Sequence, residues 1–339
     1  MRIVIALGGN ALLHRGERAD AATQIRNVAT AAEQIARVAE RHQVVIVHGN
    51  GPQVGLLAEE SERDPTLERG YPLDTLVAET QGMIGYWLAR SVGRRLPDTQ
   101  VAALITQVRV DAADPAFDHP EKPIGPYYPA AEAERLAGQR GWTFTQDRHG
   151  MRRVVPSPRP IGIIELPIIR RLLDDGCLVI AGGGGGAPVT ADQTGVEGVV
   201  DKDLVAALLA EQLGADLLAV LTDVPYVYAE YGTPREHPIV HATLDELDAG
   251  SFAAGSMRPK IKAVCAFSSA TGRPSAIGAL DELEAVVTGA RGTRIQPAPA
   301  QFHTGGPKSP EDEGRPRAAR PVRETVKGGR SSGGHEGSN

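Results

Sequence analysis

A lysine flanked by two aspartates, Asp201-Lys202-Asp203, stands fifteen residues after a run of five glycines at 182–186. Glycine tolerates positive φ and lets backbone approach a ligand closely, and successive free N–H groups form anion-binding concavities. The run is expected to bring bare backbone into the open, with Gly183 and Gly184 as phosphate contacts. An acidic cap suits a helix start, but a lysine held there between two carboxylates asks for more than packing. Lys260 follows Pro259 at a second expected helix start. Two further glycine turns, Gly8-Gly9-Asn10 and Gly49-Asn50-Gly51, each follow an apolar run, and Thr222-Asp223 closes another. Phosphoryl transfer needs mainly positioning and neutralisation of charge on the moving group. Backbone N–H groups, lysines and Mg²⁺ supply both, so these residues point to a polyphosphate site.

The elements that must carry them follow from periodicity. Continuous apolar runs at 2–7, 44–48, 101–106, 178–180 and 217–221 read as strands buried on both faces. Helical spacing covers 21–41, 73–95, the segment after Asp201 (Leu204, Val205, Leu208, Leu209, Leu213) and 260–270. Strand, helix and strand in alternation make an α/β fold with a parallel sheet and right-handed crossovers. The glycine turns then share the carboxyl edge of the sheet, where open α/β sheets bind ligands. The stretch 49–55 reads as a turn, 226–238 as a loop, and 275–278 with 285–288 as closing strands.

Between about 114 and 160 the texture changes, with prolines crowded around His119, Tyr127, Tyr128 and Trp142. Segments 143–146 and 152–156 suit a small hairpin. This reads as an insertion protruding from the main sheet without a core of its own. Residues 1–294 form the expected catalytic domain. In 297–339, 14 of 43 residues are glycine or proline and Phe302 is the lone aromatic. Such a composition cannot offset its ordering entropy, so 295–339 is expected to be disordered.

Composition narrows the function. A net charge of −6 over 339 residues argues against nucleic acid or an anionic membrane as partner. Cys177 and Cys265 stand alone, as in a reduced, cytoplasmic protein. No apolar run approaches the roughly 18 residues of a membrane helix, and the N-terminus enters a strand instead of a signal peptide. No GxxxxGK[ST] P-loop occurs. Gly182, Gly184 and Ala187 formally fit GxGxx[GA], but Pro188 and Thr190 stand where the phosphate-binding helix should start.

In order along the chain, ALGGNAL, HGNGPQVG, QGMIGYWL, KPIGP, VVPSPRP, GGGGGAPV, GVEGVVDKDL, LTDV, EYG and GSMRPK closely resemble the carbamate kinases of the amino-acid-kinase family. The likeness runs from Arg2 to about Arg294 and implies a three-layer α/β/α sandwich with a mostly parallel sheet, and a homodimer. It implies reversible, Mg²⁺-dependent transfer between ATP and carbamate, giving ADP and carbamoyl phosphate. The expected setting is ATP formation in fermentative nitrogen catabolism, such as arginine metabolism. Most members of the wider family carry a lysine where this chain has Ala6; in this branch the lysine of KPIGP, here Lys122, substitutes. By the same resemblance Lys202 and Lys260 contact phosphate and Asp201 holds the lysines charged and oriented; Asn10 and Asn50 either shape the glycine turns or hold carbamate through their side-chain amides. Thr222, Asp223, Tyr231, Gly232 and Met257 are candidates for the adenine and ribose pocket, and Mg²⁺ is held mainly by the phosphates. A nucleotide-binding paralogue without catalysis and a kinase for another small acid are the alternatives. His48, ending a buried strand, is assigned no catalytic role.

Overall fold

The structure is a computed structural model, and it describes residues 1–9, 12–14, 16–147, 150–247 and 257–296. The expected disorder of 295–339 lies largely outside these residues, and so does Asn10.

The chain opens with β1 (Arg2–Leu7), α1 (Ala21–Ala39) and β2 (Gln43–His48), the strand–helix–strand unit read from the sequence. Asp20 caps α1 by accepting from the Thr23 N–H at 2.8 Å. The stretch after β2 is not a turn but a helix, α2 (Gly51–Arg63). Pro52 fits its first turn, where a missing N–H costs nothing. Then come α3 (Leu73–Gly93), β3 (Val101–Ala103) and β4 (Gln107–Arg109). The expected strand at 101–106 therefore ends early, and β4 joins a separate sheet.

The protruding region contains β5 (Lys122–Tyr128), α4 (Ala130–Arg140), β6 (Thr143–Asp147) and β7 (Gly150–Val155). The β6–β7 hairpin agrees with the sequence reading, whereas β5 and α4 were hidden by their prolines and weak apolar period. Contrary to expectation, the region has a small apolar cluster: Tyr128, Ala133 and Leu136, with Trp142, Phe144 and Met151 against them.

Beyond it lie β8 (Gly162–Ile163), α5 (Leu166–Asp174), β9 (Leu178–Ile180), β10 (Ala187–Val189), α6 (Lys202–Leu213) and β11 (Leu217–Thr222). The expected loop at 226–238 holds an antiparallel hairpin, β12 (Val227–Ala229) with β13 (His237–Ile239). The chain closes through β14 (His241–Thr243), α7 (Met257–Thr271), β15 (Ser275–Ala279), α8 (Leu283–Thr288) and β16 (Thr293–Gln296). Residues 285–288, expected as a strand, are thus the last helix. The final strand is β16, with Ile295 fully buried.

Eight strands form the central sheet in the order β14-β16-β15-β11-β1-β2-β9-β3, parallel except where β15 meets β16. Strand periodicity divides β1 between two layers. Ile3, Ile5 and Leu7 pack with α1, α3 and α8, while Val4 and Ala6 face α6 and α7. Helices on both faces make the three-layer sandwich. A third cluster joins the protruding arm to α2 and α3 through Ile124, Val155, Val54, Ala58 and Leu76. Among the described residues no helix is long and apolar enough to cross a membrane.

Candidate active site

Strands β11, β1, β2 and β9 are neighbours, so the turns after them share one edge. A Cβ on Gly49 would lie 3.3 Å from the Gly9 N and 3.4 Å from Lys202 Cδ, so the first two glycine turns converge on the lysine. A Cβ on Gly9 or Gly51 would meet nothing within 4 Å, which marks these as the open part of the edge. Gly8, by contrast, is buried.

The five-glycine run is not open: all five residues are buried. A Cβ on Gly183 would fall 2.3 Å from His48 Nε2, and one on Gly184, at φ 66°, would fall 2.1 Å from Asn50 Nδ2. The missing side chains of these glycines make room for His48, at the end of β2, and for Asn50, at the start of α2. Asn50 itself donates to Thr80 Oγ1 at 2.8 Å, a buried bond that fixes its amide.

Lys202 begins α6, capped by Asp201, whose Oδ1 accepts the Asp203 N–H at 2.9 Å. Its ammonium donates to Asp203 Oδ1, while the ammonium of Lys260, on the first turn of α7, donates to Asp203 Oδ2 at 3.1 Å. Asp203, not Asp201, is therefore the carboxylate that joins these two lysines. Asp201 instead receives Lys122 from β5, with Nζ 2.5 Å from Oδ2. The chain thus brings Lys122, Lys202 and Lys260 together around two carboxylates. Sequence reading placed Asp203 only as an ion-pair neighbour, because the bridge to Lys260 spans 57 residues.

The electrostatics follow from burial. Burial pushes Lys202 down to about 8, since Asp203 only partly compensates and Lys260 adds a like charge. Burial also opposes charge on Lys260, yet Asp203 and its hydrogen bond outweigh it and raise this lysine. Asp203 is desolvated too, but the two ammonium groups hold it well below the usual carboxylate range. For Asp201 the Lys122 charge overcomes burial and lowers it. Burial depresses His48 to about 4, with the Lys202 charge adding to it, so the imidazole is neutral.

The expected nucleotide residues are less gathered. Thr222 ends β11 on the same edge, half-buried, and donates to Asp223 Oδ1 at 3.1 Å. Met257 begins α7, three residues before Lys260, and is half-buried. Tyr231 and Gly232 sit in the turn of the β12–β13 hairpin, and Tyr231 is 75% exposed with its ring 6.4 Å from that of Tyr228.

Residues 1–278 match the amino acid kinase family. The chain belongs to that family. Within it, the carbamate kinase of Rhizobium meliloti is 50% identical over 303 residues, covering 87% of this chain and 93% of that protein. The carbamate kinase of Haemophilus influenzae is 48% identical, over 87% of this chain and 96% of its own length. The solved structure of carbamate kinase from Giardia lamblia bound to AMP-PNP superposes with a TM-score of 0.78 at 37% identity, over 87% and 98% of the two chains. A member of the amino acid kinase family is a phosphotransferase, the chemistry to which the lysine cluster at the glycine-lined edge also points.

Proposed function

We propose that this protein is a carbamate kinase, interconverting ATP and carbamate with ADP and carbamoyl phosphate. The observation that carries the reading is the Lys122–Asp201 and Lys202–Asp203–Lys260 cluster at the edge where Gly9 and Gly51 lie open. The relatives named carbamate kinase, near half-identical over most of their length, select the acceptor.

In the ATP-forming direction a β-phosphate oxygen of ADP attacks the phosphorus of carbamoyl phosphate. The bond from phosphorus to the carbamate oxygen breaks, and that oxygen keeps the electron pair. No proton need be removed, so the site requires charge and alignment, not a general base. Lys202 and Lys260 neutralise charge on the transferred group, and the carboxylate of Asp203 fixes their spacing. Lys122 supplies the cation that β1 cannot, since Ala6 is fully buried between Val47 and Val220. Mg²⁺, when bound, would supply positive charge that offsets the charge gathering on the phosphates. Asp201 and Asp203 are each engaged by lysines, so the ion would be held mainly by the phosphates. Thr222, Asp223 and Met257 flank the nucleotide, with Tyr231 and Gly232 approaching from the hairpin.

A homodimer completes the reading, with exposed Tyr86 on α3 and Ile105 beside Gly82 offering an apolar face near the edge strand β3. A cytoplasmic role in ATP formation from carbamoyl phosphate, as in arginine catabolism, suits two free cysteines and a small-molecule site.

The test is a coupled assay for ATP made from ADP and carbamoyl phosphate, with and without Mg²⁺. Activity that needs Mg²⁺ and falls about 10²–10³-fold in Lys202→Ala, the range for loss of one charge-stabilising donor, is expected. A folded, nucleotide-binding sample that makes no ATP overturns the reading in favour of a regulatory paralogue. Lys122→Ala should lower kcat more than it weakens ADP binding.

A further inference from the structure

His48 is the buried titratable group that this chemistry leaves unused. It ends β2, opposite Leu7 of β1, and is 1% exposed. Its Nδ1 lies 3.0 Å from the carbonyl oxygen of the next residue, Gly49. A carbonyl only accepts, so Nδ1 carries the proton and Nε2 the lone pair. The other edge of the ring lies against Gly183, where a Cβ would come within 2.3 Å of Nε2 and 2.5 Å of Cε1. One imidazole therefore touches two of the three glycine turns.

Gly49 is itself closely surrounded. Its N–H donates to the Leu7 carbonyl at 3.1 Å, and the space where its side chain would stand is bounded by the Gly9 backbone and the Lys202 stem. With its N–H held by Leu7 and its carbonyl held by His48, Gly49 has both flanking peptide planes fixed. A trans peptide points its N–H opposite to its C=O, so the His48 bond also aims the Asn50 N–H away from the ring. Asn50 is the residue that caps the start of α2, and the N–H groups at a helix start have no partner within it. Such groups are suited to an anion.

We propose that His48 is a positioning residue for the phosphoryl-carrying substrate: its ring locks the Gly49 carbonyl and braces Gly183, fixing how the second and third glycine turns stand beside Lys202. This rests on the carbamoyl phosphate reading. His48 touches no substrate and moves no proton. It sets the direction of backbone donors at the start of α2, and so bears on the phosphoryl end of the acyl phosphate more than on ADP.

Three variants separate this from simple core filling. His48→Leu keeps an apolar filling but cannot bond Gly49. His48→Asn places an amide N–H near the position of Nδ1, and His48→Gln places one near Nε2. The readouts are melting temperature, ADP affinity by calorimetry, and the KM for carbamoyl phosphate in the ATP-forming assay. The Leu and Gln variants are expected to raise that KM about tenfold or more while ADP affinity stays within about twofold. The Asn variant should recover most of the loss, even where its melting temperature is the lowest of the three. Equal losses towards both substrates, or a KM that follows melting temperature in all three, would return His48 to core packing. If Leu does not fold, the Asn and Gln pair decides alone. If the parent makes no ATP, the functional reading fails; the order of the variants in calorimetric binding of fresh carbamoyl phosphate then still decides the role of His48.

Discussion

Gly55 and Gly125 meet backbone to backbone, so closely that a Cβ on Gly55 would fall 2.0 Å from the Gly125 Cα and N. Gly125 takes φ +69°, a conformation other residues adopt rarely. The contact lets β5 of the arm lie on α2. Three residues before Gly125, Lys122 reaches Asp201. A methyl group at position 55 must push the arm outward and carry Lys122 with it. Gly55→Ala is expected to lower kcat by one to two orders of magnitude, because misplacement by about 1 Å can cost 10²-fold. ADP affinity, measured by calorimetry, should change little. Parental kcat in this variant would show that the arm does not position the lysine.

The two carboxylates should separate by stability. Asp203 is fully buried between two ammonium groups, and removing one partner of such a set costs about 3–5 kcal/mol. Asp203→Asn is expected to lower both the melting temperature and activity, whereas Asp201→Asn should cost mainly activity. Denaturant titration beside the kinetic assay measures both. The folded state holds Asp203 below its ordinary value. Its stabilising contribution is therefore complete above about pH 4 and lost as the pH falls below that. The parent should lose stability through this acid window more steeply than Asp203→Asn.

Lys202 limits activity from the alkaline side. Burial places it at about 8, so kcat/KM, which reports the free enzyme, should fall as the pH rises through about 8. For stability the sign is opposite. Between about 8 and 10.5 the unfolded chain keeps a proton that folded Lys202 has lost, so this group's contribution rises with pH. No titration near 6.5 should come from His48, which is neutral throughout that range. A kcat/KM profile flat to pH 9.5 or so would mean that Lys202 stays charged, or that its charge is not needed.

The C-terminal boundary is set by Ile295. It is fully buried in β16, which pairs with both β14 and β15. A chain ending at Arg294 loses it, and loss of a large core side chain costs about 2–5 kcal/mol. Such a chain should melt several degrees below one ending at Gln296. Equal melting temperatures would contradict the packing of this last strand.

The sequence alone carried the central strands and the helices between them, because apolar periodicity reports burial directly. Arg2 to Leu7, with no polar residue after the first, could only be a strand covered on both faces, and its glycine turn had to lie beside those of its parallel neighbours. Lys202 and Lys260 were legible by type and place, each near a helix start, whereas Lys122, which begins β5, was legible only as part of KPIGP. Pairing between distant residues was not legible. Asp201 and Asp203 look equivalent on either side of Lys202, and only the approach of α7 and of the arm assigns Lys260 to one and Lys122 to the other. The five glycines looked like an open cradle, since sequence records the missing side chains but not what fills their space. The tertiary structure fills it with His48 and Asn50, because β2 and β9 lie side by side and the turn after one must clear the side chains of the other.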